Sequence, residues 1–414
     1  MTKINSDLPV ILIDTSYWLY YRFFSLRNWY SHAYPENYVS DVSDVVPTTN
    51  FNATHNWLED ELFMTKYKKL FMDNIKKLCK RYKTKLENVI LCIDCPHNEI
   101  WRHSKVKTEN EKINIKNEII IQRKKEKEKE KEQEQEQLDE EQEQKDEEPI
   151  IENIKPYKGT RLESHKKNNF NSFNIFNYMK NTFIPTLKDN NNNSIKIIQC
   201  SKCEADDIIG QLSVYIDQHW KTQSQTQSQT QPQPHNQKKI YILANDNDYL
   251  QVCNNNIKLM NGLGKILSGE QGENYYGDKY LISKILLGDK SDNIKSCTID
   301  SGYLHCGIPN NKKKNVTKKS IEIIFSNPDK YSIFTTLLNT IRNSREIDSN
   351  REIDSNRELD SNREIDSSMS ESSNVSNSCY SDINIFRHNC NMMDFQMLPQ
   401  ELKINLHNLF SQII

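Results

Sequence analysis

The sequence contains no apolar run long enough to cross a membrane, and its first residues, MTKINSDLPV, lack the apolar region of a signal peptide and the composition of a transit peptide. We therefore expect a soluble, intracellular protein with no membrane partner. The chain also lacks an excess of charge of either sign, since its formal net charge is -2 over 414 residues. Ten cysteines in an intracellular compartment are expected to be thiols rather than disulfides.

Three tracts of the chain have almost no aliphatic residues with which to build a core. Residues 107–148 are dominated by Lys, Glu and Gln, residues 221–239 are rich in Gln, Ser and Thr, and residues 345–368 repeat the hexad REIDSN. Such tracts cannot offset the entropy lost on ordering, so we expect disordered insertions, with a solvated helix as the alternative for the first. The remainder is long enough for one α/β domain with a helical extension.

Four apolar runs have the length of β-strands, and each ends at or leads into an acidic residue. The runs are PVILID, NVILCID, SIKIIQC and KKIYILANDND, and helical patterns separate them. Near-continuous Val, Ile and Leu are typical of strands buried on both faces of a parallel sheet. The sequence therefore predicts an α/β fold with a central, mostly parallel sheet flanked by helices. Ligands bind at the carboxyl ends of such strands, so the acidic residues are predicted to meet at one edge.

Glu204, Asp206 and Asp207 form the densest acidic group, in the stretch QCSKCEADDIIG. Like charges this close repel, and one carboxylate takes up a proton unless a cation neutralises the group. Each acidic residue alone has an ordinary explanation as a helix cap or turn residue, and Ser201 with Glu204 fits a capping box. Those explanations do not account for the position of all the acidic residues at strand ends.

The ligands that these residues offer are oxygens with no histidine among them, which favours a hard cation such as Mg²⁺ or Mn²⁺ over zinc. A rival zinc site would use the two Cys-x-x-Cys pairs, Cys92 with Cys95 and Cys200 with Cys203. Zinc ribbons usually place such pairs about 15–20 residues apart, far closer than they are here. Buried or incidental thiols are the simpler interpretation.

An ordered series of motifs resembles the 5′-nuclease superfamily, which contains flap endonucleases and 5′-to-3′ exonucleases. The motifs are ILIDTSYWLYYRFF, CIDCPHNEIWRHSKV, KPYKGTR, CEADDIIG, ILANDNDYLQV and LLGDKSDNI. FRHNCNMMDFQMLP is similar to the closing segment of the phage-type members. The resemblance covers most of the chain outside the insertions, and it implies a PIN-like core followed by a helix-two-turn-helix-type region.

By this resemblance, one cluster of carboxylates binds two divalent ions, Mg²⁺ or Mn²⁺ in its place, with some ligands acting through water. The cluster comprises Asp14, Asp94, Glu204, Asp206, Asp207, Asp246, Asp248, Asp289 and Asp292. Two such ions can activate a water and stabilise the leaving oxygen of a phosphodiester. The need to hold four positive charges beside a polyanion accounts for the number of carboxylates.

Two cations in KPYKGTR, Lys158 and Arg161, take a catalytic role by the same resemblance. In the family they lie at the base of a helical arch, at about 155–190 here, and contact the scissile phosphate. A fixed cation aimed at charge that develops in the transition state is a large source of rate enhancement. As isolated residues they would be ordinary surface charges in a loop.

The segment after GDKSDNI departs from the family pattern, because it has extra residues and no Gly-x-Gly. The sequence therefore does not decide whether this element binds K⁺. The basic stretch NNKKKNVTKK is expected to contact backbone phosphates, with a solvated lysine loop or a nuclear-localisation patch as the alternative. The residues assigned to DNA binding are Arg22, Arg102, Lys318 and Lys319.

The predicted function is that of a metal-dependent 5′-to-3′ exonuclease or structure-specific 5′-flap endonuclease acting on DNA with a free 5′ end, with RNA–DNA hybrids as further substrates. A PIN-like ribonuclease and a catalytically inactive nucleic-acid-binding scaffold are the alternatives. We expect a monomer, and LKINLHNLFSQII shows no sliding-clamp motif.

The predicted division of the chain into domains and insertions is 1–106 and 154–262 for the nuclease core, 107–153 for the charged insertion, 221–239 for the Gln/Ser/Thr-rich insertion, 263–342 for the DNA-binding helical region, 343–378 for the disordered repeat and 379–414 for the closing segment.

Overall fold

The central element of the fold is a five-stranded sheet in which every pair of neighbouring strands is parallel. The computed structural model describes residues 3–34, 56–134, 157–158, 173–188, 195–227, 238–268, 276–299, 314–351 and 377–414. The strands of the sheet are β1 (Val10–Asp14), β2 (Val89–Ile93), β3 (Lys196–Gln199), β4 (Ile240–Leu243) and β5 (Ile257–Met260). Their order is β3-β2-β1-β4-β5, so β1 is central. The predicted α/β fold with a mostly parallel sheet is confirmed.

Strand β1 shows why apolar residues do not alternate with polar residues in these runs. Val10 and Leu12 belong to the apolar core on one face of the sheet, and Ile11 and Ile13 belong to the core on the other face. All four side chains are fully buried. Each such side chain stabilises the fold by about 1.5–3 kcal/mol, so both faces of the central strand favour aliphatic residues.

Helices cover both faces of this sheet. Helices α1 and α2 contribute to the core that contains Ile11, whereas α5 and α10 contribute to the core that contains Leu12. Helices α6 to α9 supply most of a third apolar cluster. No helix within the described ranges is long and apolar enough to span a membrane. The α-helices in these ranges are α1 (Thr15–Ala33), α2 (Glu61–Arg81), α3 (Trp101–Glu134), α4 (Phe173–Tyr178), α5 (Ala205–Gln227), α6 (Asp278–Leu287), α7 (Lys318–Ser326), α8 (Pro328–Arg351), α9 (Asn377–Met393) and α10 (Gln400–Ser411).

Each of the three low-complexity tracts begins as a helix, which corrects the expectation of disorder for these parts of the second and third and agrees with the helical alternative for the first, while Lys238 and Lys239 at the end of the second lead into β4 without helical structure. Helix α3 continues into the first tract as far as Glu134, α5 enters the second as far as Gln227, and α8 enters the third as far as Arg351. Lys, Glu, Gln and Arg have good helix propensity, so a helix that starts in folded sequence can extend through them. The rest of each tract lies outside the described residues.

Gly288 ends helix α6 and turns the chain toward the sheet edge. Its φ of 69° lies in the left-handed region, and a Cβ there would meet the carbonyl carbon of Lys295 at 2.6 Å. Only glycine fits this turn without strain. The chain then passes through Asp289 and Asp292 to a short antiparallel pair, β6 (Thr298–Ile299) with β7 (Lys314–Asn315). Residues 300–313 of the expected helix-two-turn-helix lie outside the described ranges.

The closing segment packs directly on helix α5. A Cβ at Gly210 would lie 2.5 Å from the ring of Phe395, so the ring occupies the space that a side chain would need. The Gln211 amide also donates to the Phe395 carbonyl at 2.6 Å. These contacts bring the end of α9 to the helix that carries Asp206 and Asp207.

Candidate metal centre

Asp14 is the last residue of the central strand and also the N-cap of helix α1. Its side chain accepts a hydrogen bond from the Tyr17 backbone amide at 2.9 Å and another from the Tyr249 hydroxyl at 3.3 Å. Burial, and then the charge of Asp94, raise the pKa of Asp14 to about 7. The carboxylate is therefore held at the sheet edge with its negative charge only partly compensated.

Asp94 follows the neighbouring strand β2 and lies beside Asp14. It accepts hydrogen bonds from the Ser16 hydroxyl and, at 2.9 Å, from the backbone amide of Ala205, the first residue of α5. The ammonium of Lys180 lies 3.5 Å from the carboxylate and donates to the Ser16 hydroxyl at 2.7 Å. Asp94 thus ties the end of β2 to the start of α5.

Asp207 and Glu204, at the start of α5, are neutralised by cations of this chain. Asp207 has no exposed side-chain surface and accepts from the Arg102 guanidinium at 2.7 and 3.1 Å and from the Trp101 indole at 3.0 Å. Glu204 accepts from Arg102 at 2.8 Å and from Lys158 at 2.6 Å. Burial works to raise the pKa of Glu204, but the two cations outweigh it and lower the pKa. Both carboxylates are therefore committed to ion pairs.

Asp206 lies between these two residues in the sequence, and among the residues that the structure describes no cation is as close to it as those of its neighbours. Its carboxylate is 3.9 Å from the Arg102 guanidinium. Burial, and then the charges of Glu204 and Asp207, raise the pKa of Asp206 well above its usual range. The possible ligand atoms of the three acidic residues lie within 4.8 Å of one another, a closeness that no other group of acidic, His or Cys residues reaches in the described ranges. Because its neighbours are paired, Asp206 is the member best placed to bind an ion.

The acidic residues described so far, at the ends of β1 and β2 and the start of α5, form the first side of the site. Asp246, Asp248 and Asp289 form its second side. Asp246 follows β4 and caps the short helical turn after it by accepting from the Asp248 amide at 2.9 Å. The Lys284 ammonium lies 2.8 Å from Asp248 and 2.6 Å from Asp289. Tyr280, on the same helix as Lys284, donates to Asp248 at 3.2 Å.

One cavity is lined by residues from both sides of the site. The closing segment forms part of its wall through Met392, Met393 and Phe395. The acidic and cationic side chains that line the cavity are Arg102, Lys158, Asp206, Asp246, Asp248, Asp289 and Asp292. The charge of Asp246 also raises the pKa of Asp14, which links the Asp14 side of the site to this cavity.

Tyr249 is an uncharged residue that contacts the site through Asp14. Its ring is fully buried, and burial raises the pKa of its hydroxyl well above the usual value, with further contributions from Asp14, Asp206, Asp246 and Asp94. The Tyr249 hydroxyl donates to Asp14 at 3.3 Å, and the charges of the other three carboxylates, from three further segments, act on the same hydroxyl. Their oxygen-only donor set and their mutual repulsion fit a hard divalent cation.

Two residues assigned to DNA binding are buried, which corrects that expectation. The side chain of Arg102 is only 2% exposed, and it also donates to the Met392 carbonyl at 2.9 Å. The Arg22 guanidinium stacks 3.9 Å from the Trp18 ring centroid and donates to the Gly262 carbonyl at 2.6 Å. Both arginines satisfy carbonyl or carboxylate groups inside the protein, so neither presents its charge to a phosphate.

The remaining predicted cations lie in different places. Lys158 is at the cavity and is held against Glu204, with a φ of 53°. Lys318 and Lys319 are exposed in the first turn of α7. Arg161 lies outside the described residues. The four cysteines of the rival zinc interpretation are buried thiols, and no cysteine belongs to the ligand group identified in the described ranges.

Sequence reasoning did not identify three residues of the site, Lys180, Lys284 and Tyr249. Lys284 precedes the GDKSDNI motif by one helical turn, so its spacing could have placed it near Asp289. Tyr249 directly follows the paired aspartates of NDND. Lys180 stands in the stretch FNYMKNTFIP, which contains no recognised motif, and no sequence signal points to it.

No protein-family description and no curated protein matches this sequence. Among solved structures, the chain is similar to bacteriophage T5 5′-exonuclease with bound zinc, at 10% identity and a TM-score of 0.45, covering 98% of this chain and 99% of the other. It is also similar to a bacteriophage T5 flap endonuclease variant in a complex with DNA and metal ions, at 9% identity, a TM-score of 0.45 and 98% coverage of both chains. The case for an activity rests on the site.

Proposed function

We propose that this protein is a divalent-metal-dependent nuclease that hydrolyses DNA phosphodiesters, as a 5′-to-3′ exonuclease or a 5′-flap endonuclease. The observation that supports this most directly is that Asp14, Asp94, Asp206 and Asp246 lie at one edge of the sheet, and that the last two line a cavity together with Lys158. Carboxylates crowded beyond what the nearby lysines neutralise are suited to metal ions. A lysine beside them is suited to the anionic phosphate of a substrate.

These four carboxylates, with Asp248, Asp289 and Asp292, would hold the ions, and Mg²⁺ with Mn²⁺ as a substitute suits oxygen ligands. We propose two ions, which when bound would activate water and stabilise the leaving oxygen. Glu204 and Asp207 act as partners of Lys158 and Arg102 rather than as direct ligands.

The cations divide into two proposed roles. Lys158, anchored by Glu204, stabilises the charge that develops on the scissile phosphate, and Arg161 shares this role. Lys318 and Lys319 contact the duplex backbone from the start of α7, where the helix dipole also favours phosphate. The protein acts as a monomer on DNA with a free 5′ end, and on RNA–DNA hybrids.

The position of Asp289 and Asp292 favours this proposal over a PIN-like ribonuclease. Both residues line the same cavity as Asp206 and Asp246. The resembling ribonucleases usually lack this segment, whereas the 5′ nucleases use it as their last acidic pair. DNA is therefore the substrate that the site supports best.

The test is a cleavage assay with 5′-flap, nicked, blunt and single-stranded DNA and an RNA–DNA hybrid, each with Mg²⁺ and with EDTA. We expect Mg²⁺-dependent release of products from the free 5′ end or the flap. Asp14→Asn and Asp246→Asn should abolish cleavage while retaining flap binding, because each removes an ion ligand and no phosphate contact. Cleavage of RNA alone, or near wild-type turnover of either variant in saturating Mg²⁺, would contradict the proposal.

A further inference from the structure

The two sides of the carboxylate site differ in how they are neutralised. On one side, the Lys284 ammonium lies 2.8 Å from an Asp248 oxygen and 2.6 Å from an Asp289 oxygen. On the other side, Lys180 lies 3.5 Å from Asp94. Arg102 also bridges Glu204 and Asp207 there, but these two are not proposed as ion ligands. Within the described ranges, Lys284 is thus the cation that bridges two proposed ion ligands.

The pair that Lys284 bridges is held in place by further hydrogen bonds. Asp248 accepts from the Tyr280 hydroxyl at 3.2 Å. Asp289 accepts from the Ser291 amide at 2.8 Å and from the Ser291 hydroxyl at 2.6 Å. These bonds orient both carboxylates toward one point, and Lys284 supplies the positive charge at that point.

The path of the Lys284 side chain explains why it reaches this point. It stands on α6 one turn before Gly288, and the glycine turn brings Asp289 back toward the same helix. The neighbours of Lys284 on the helix, Ser283 and Ile285, are buried, which fixes the backbone from which the lysine extends. Its own side chain is 23% exposed, and both of its carboxylate partners, Asp248 and Asp289, line the cavity.

We propose that the Lys284 ammonium takes the place of one divalent ion between Asp248 and Asp289, so that the DNA-free protein binds one ion fewer than its carboxylates could hold. This inference rests on the proposed function, because it concerns the metal ions of the same site. The ammonium occupies the space between the two carboxylates, and its positive charge repels a divalent ion there.

The test counts Mn²⁺ ions bound per chain by electron paramagnetic resonance, with the full-length protein and no DNA. We expect Lys284→Met to bind one more Mn²⁺ than the wild type. Lys284→Arg, which keeps a cation, should bind the wild-type number. Lys279→Met is the matched control, because Lys279 lies on the same helix but its ammonium is 5.0 Å from the Phe325 ring centroid.

A double variant separates a new site from a general gain in affinity. In Lys284→Met with Asp289→Asn, the additional ion should be lost, because one of its two ligands is gone. A general electrostatic effect would instead tighten the existing ions and leave their number unchanged. Lys284→Gln, which keeps a polar side chain of similar length, replaces the Met variant if thermal melting shows that the latter is unfolded.

An unchanged ion count in Lys284→Met and Lys284→Gln would overturn the inference, and so would an additional ion that persists in the double variant. This result is distinct from a failure of the proposed function. A protein that gains an ion on substitution of Lys284 but cleaves no nucleic acid would support the inference and contradict the function. A protein that cleaves DNA with an unchanged ion count would do the reverse.

Discussion

The guanidinium of Arg102 donates to both carboxylate oxygens of Asp207, at 2.7 and 3.1 Å, with neither side chain reaching solvent to any extent. This pair fixes the start of α5 against the start of α3. It also removes Asp207 from the set of carboxylates that an ion can use, and it places Arg102 in a structural role.

Substitution of Arg102 is expected to destabilise the fold. Arg102→Met leaves the buried carboxylate of Asp207 unpaired, which typically costs about 3–5 kcal/mol. The measurement is the free energy of unfolding in urea. Arg102→Met with Asp207→Leu should recover much of the loss, because it removes both charges. A single variant with wild-type stability and weaker DNA binding would restore the surface role that the sequence predicted.

Lys158→Ala is expected to slow chemistry more than binding. If Lys158 stabilises charge in the transition state, its loss should lower the single-turnover rate on the order of 10²–10³-fold. Binding of a flap substrate in Ca²⁺ should change by less than about tenfold. Lys318→Ala is the control, since a lysine that only neutralises backbone charge should weaken binding and reduce its salt slope by about one. Normal single-turnover chemistry with poor binding in Lys158→Ala would remove this residue from the catalytic site.

The stability of the metal-free protein should depend on pH through Asp14. Its pKa in the folded protein is about 7, against 3.8 for an ordinary aspartate. The protonated form is thus favoured by folding, so this contribution to stability is complete below about pH 4 and is lost as pH rises through 7. Thermal unfolding in EDTA should show this decline, and Asp14→Asn should reduce it.

Metal binding at the same carboxylate should show the opposite trend with pH. An ion must displace the proton from Asp14, so the affinity for Mn²⁺ should increase as pH rises toward 7 and proton release should accompany binding. Calorimetry in buffers of different ionisation enthalpy measures the protons released. Binding that is independent of pH between about 5 and 7 would show that Asp14 carries no proton in the metal-free protein.

Deletion of residues 107–148 should leave a folded and active protein. Among the α3 residues whose side chains the structure describes, up to Lys125, Val106 is the last that belongs to an apolar cluster, and Ile115, Ile119 and Ile121 beyond it are exposed. The free energy of unfolding should change by no more than about 1 kcal/mol, as is usual for exposed sites. A deletion that also removes Val106 is the comparison and should destabilise the third cluster. Loss of a cooperative thermal transition in the shorter deletion would mean that the exposed part of α3 is structural.

The sequence was sufficient to predict the strands that are continuous and aliphatic. Strands β1 and β2 were recognised because burial on both faces selects Val, Ile and Leu with little interruption, and β3 and β4 because their short apolar runs lead into acidic residues. Strand β5 was missed because IKLM is followed by Asn261, so no acidic residue marks its end. A short edge strand depends on pairing with β4, which a local pattern does not reveal.

The carboxylates of the site could be predicted because strand ends of a parallel sheet meet at one edge. Their counter-ions could not, because a lysine or arginine looks the same in sequence whether it faces solvent or a buried carboxylate. Arg102 was assigned to DNA, and Lys284 was not identified at all, for this one reason. The distinction depends on contacts such as that between Arg102 and Met392, which are 290 residues apart.

That last contact has a consequence for how the protein is made. Arg102 is held by a carbonyl of the closing segment, and Phe395 of the same segment completes the cavity wall. The ribosome synthesises this segment long after the strands that bear the aspartates. The nascent chain therefore carries its acidic residues without the support that orders them, and the site becomes complete only when the closing segment has been synthesised and has docked on α5.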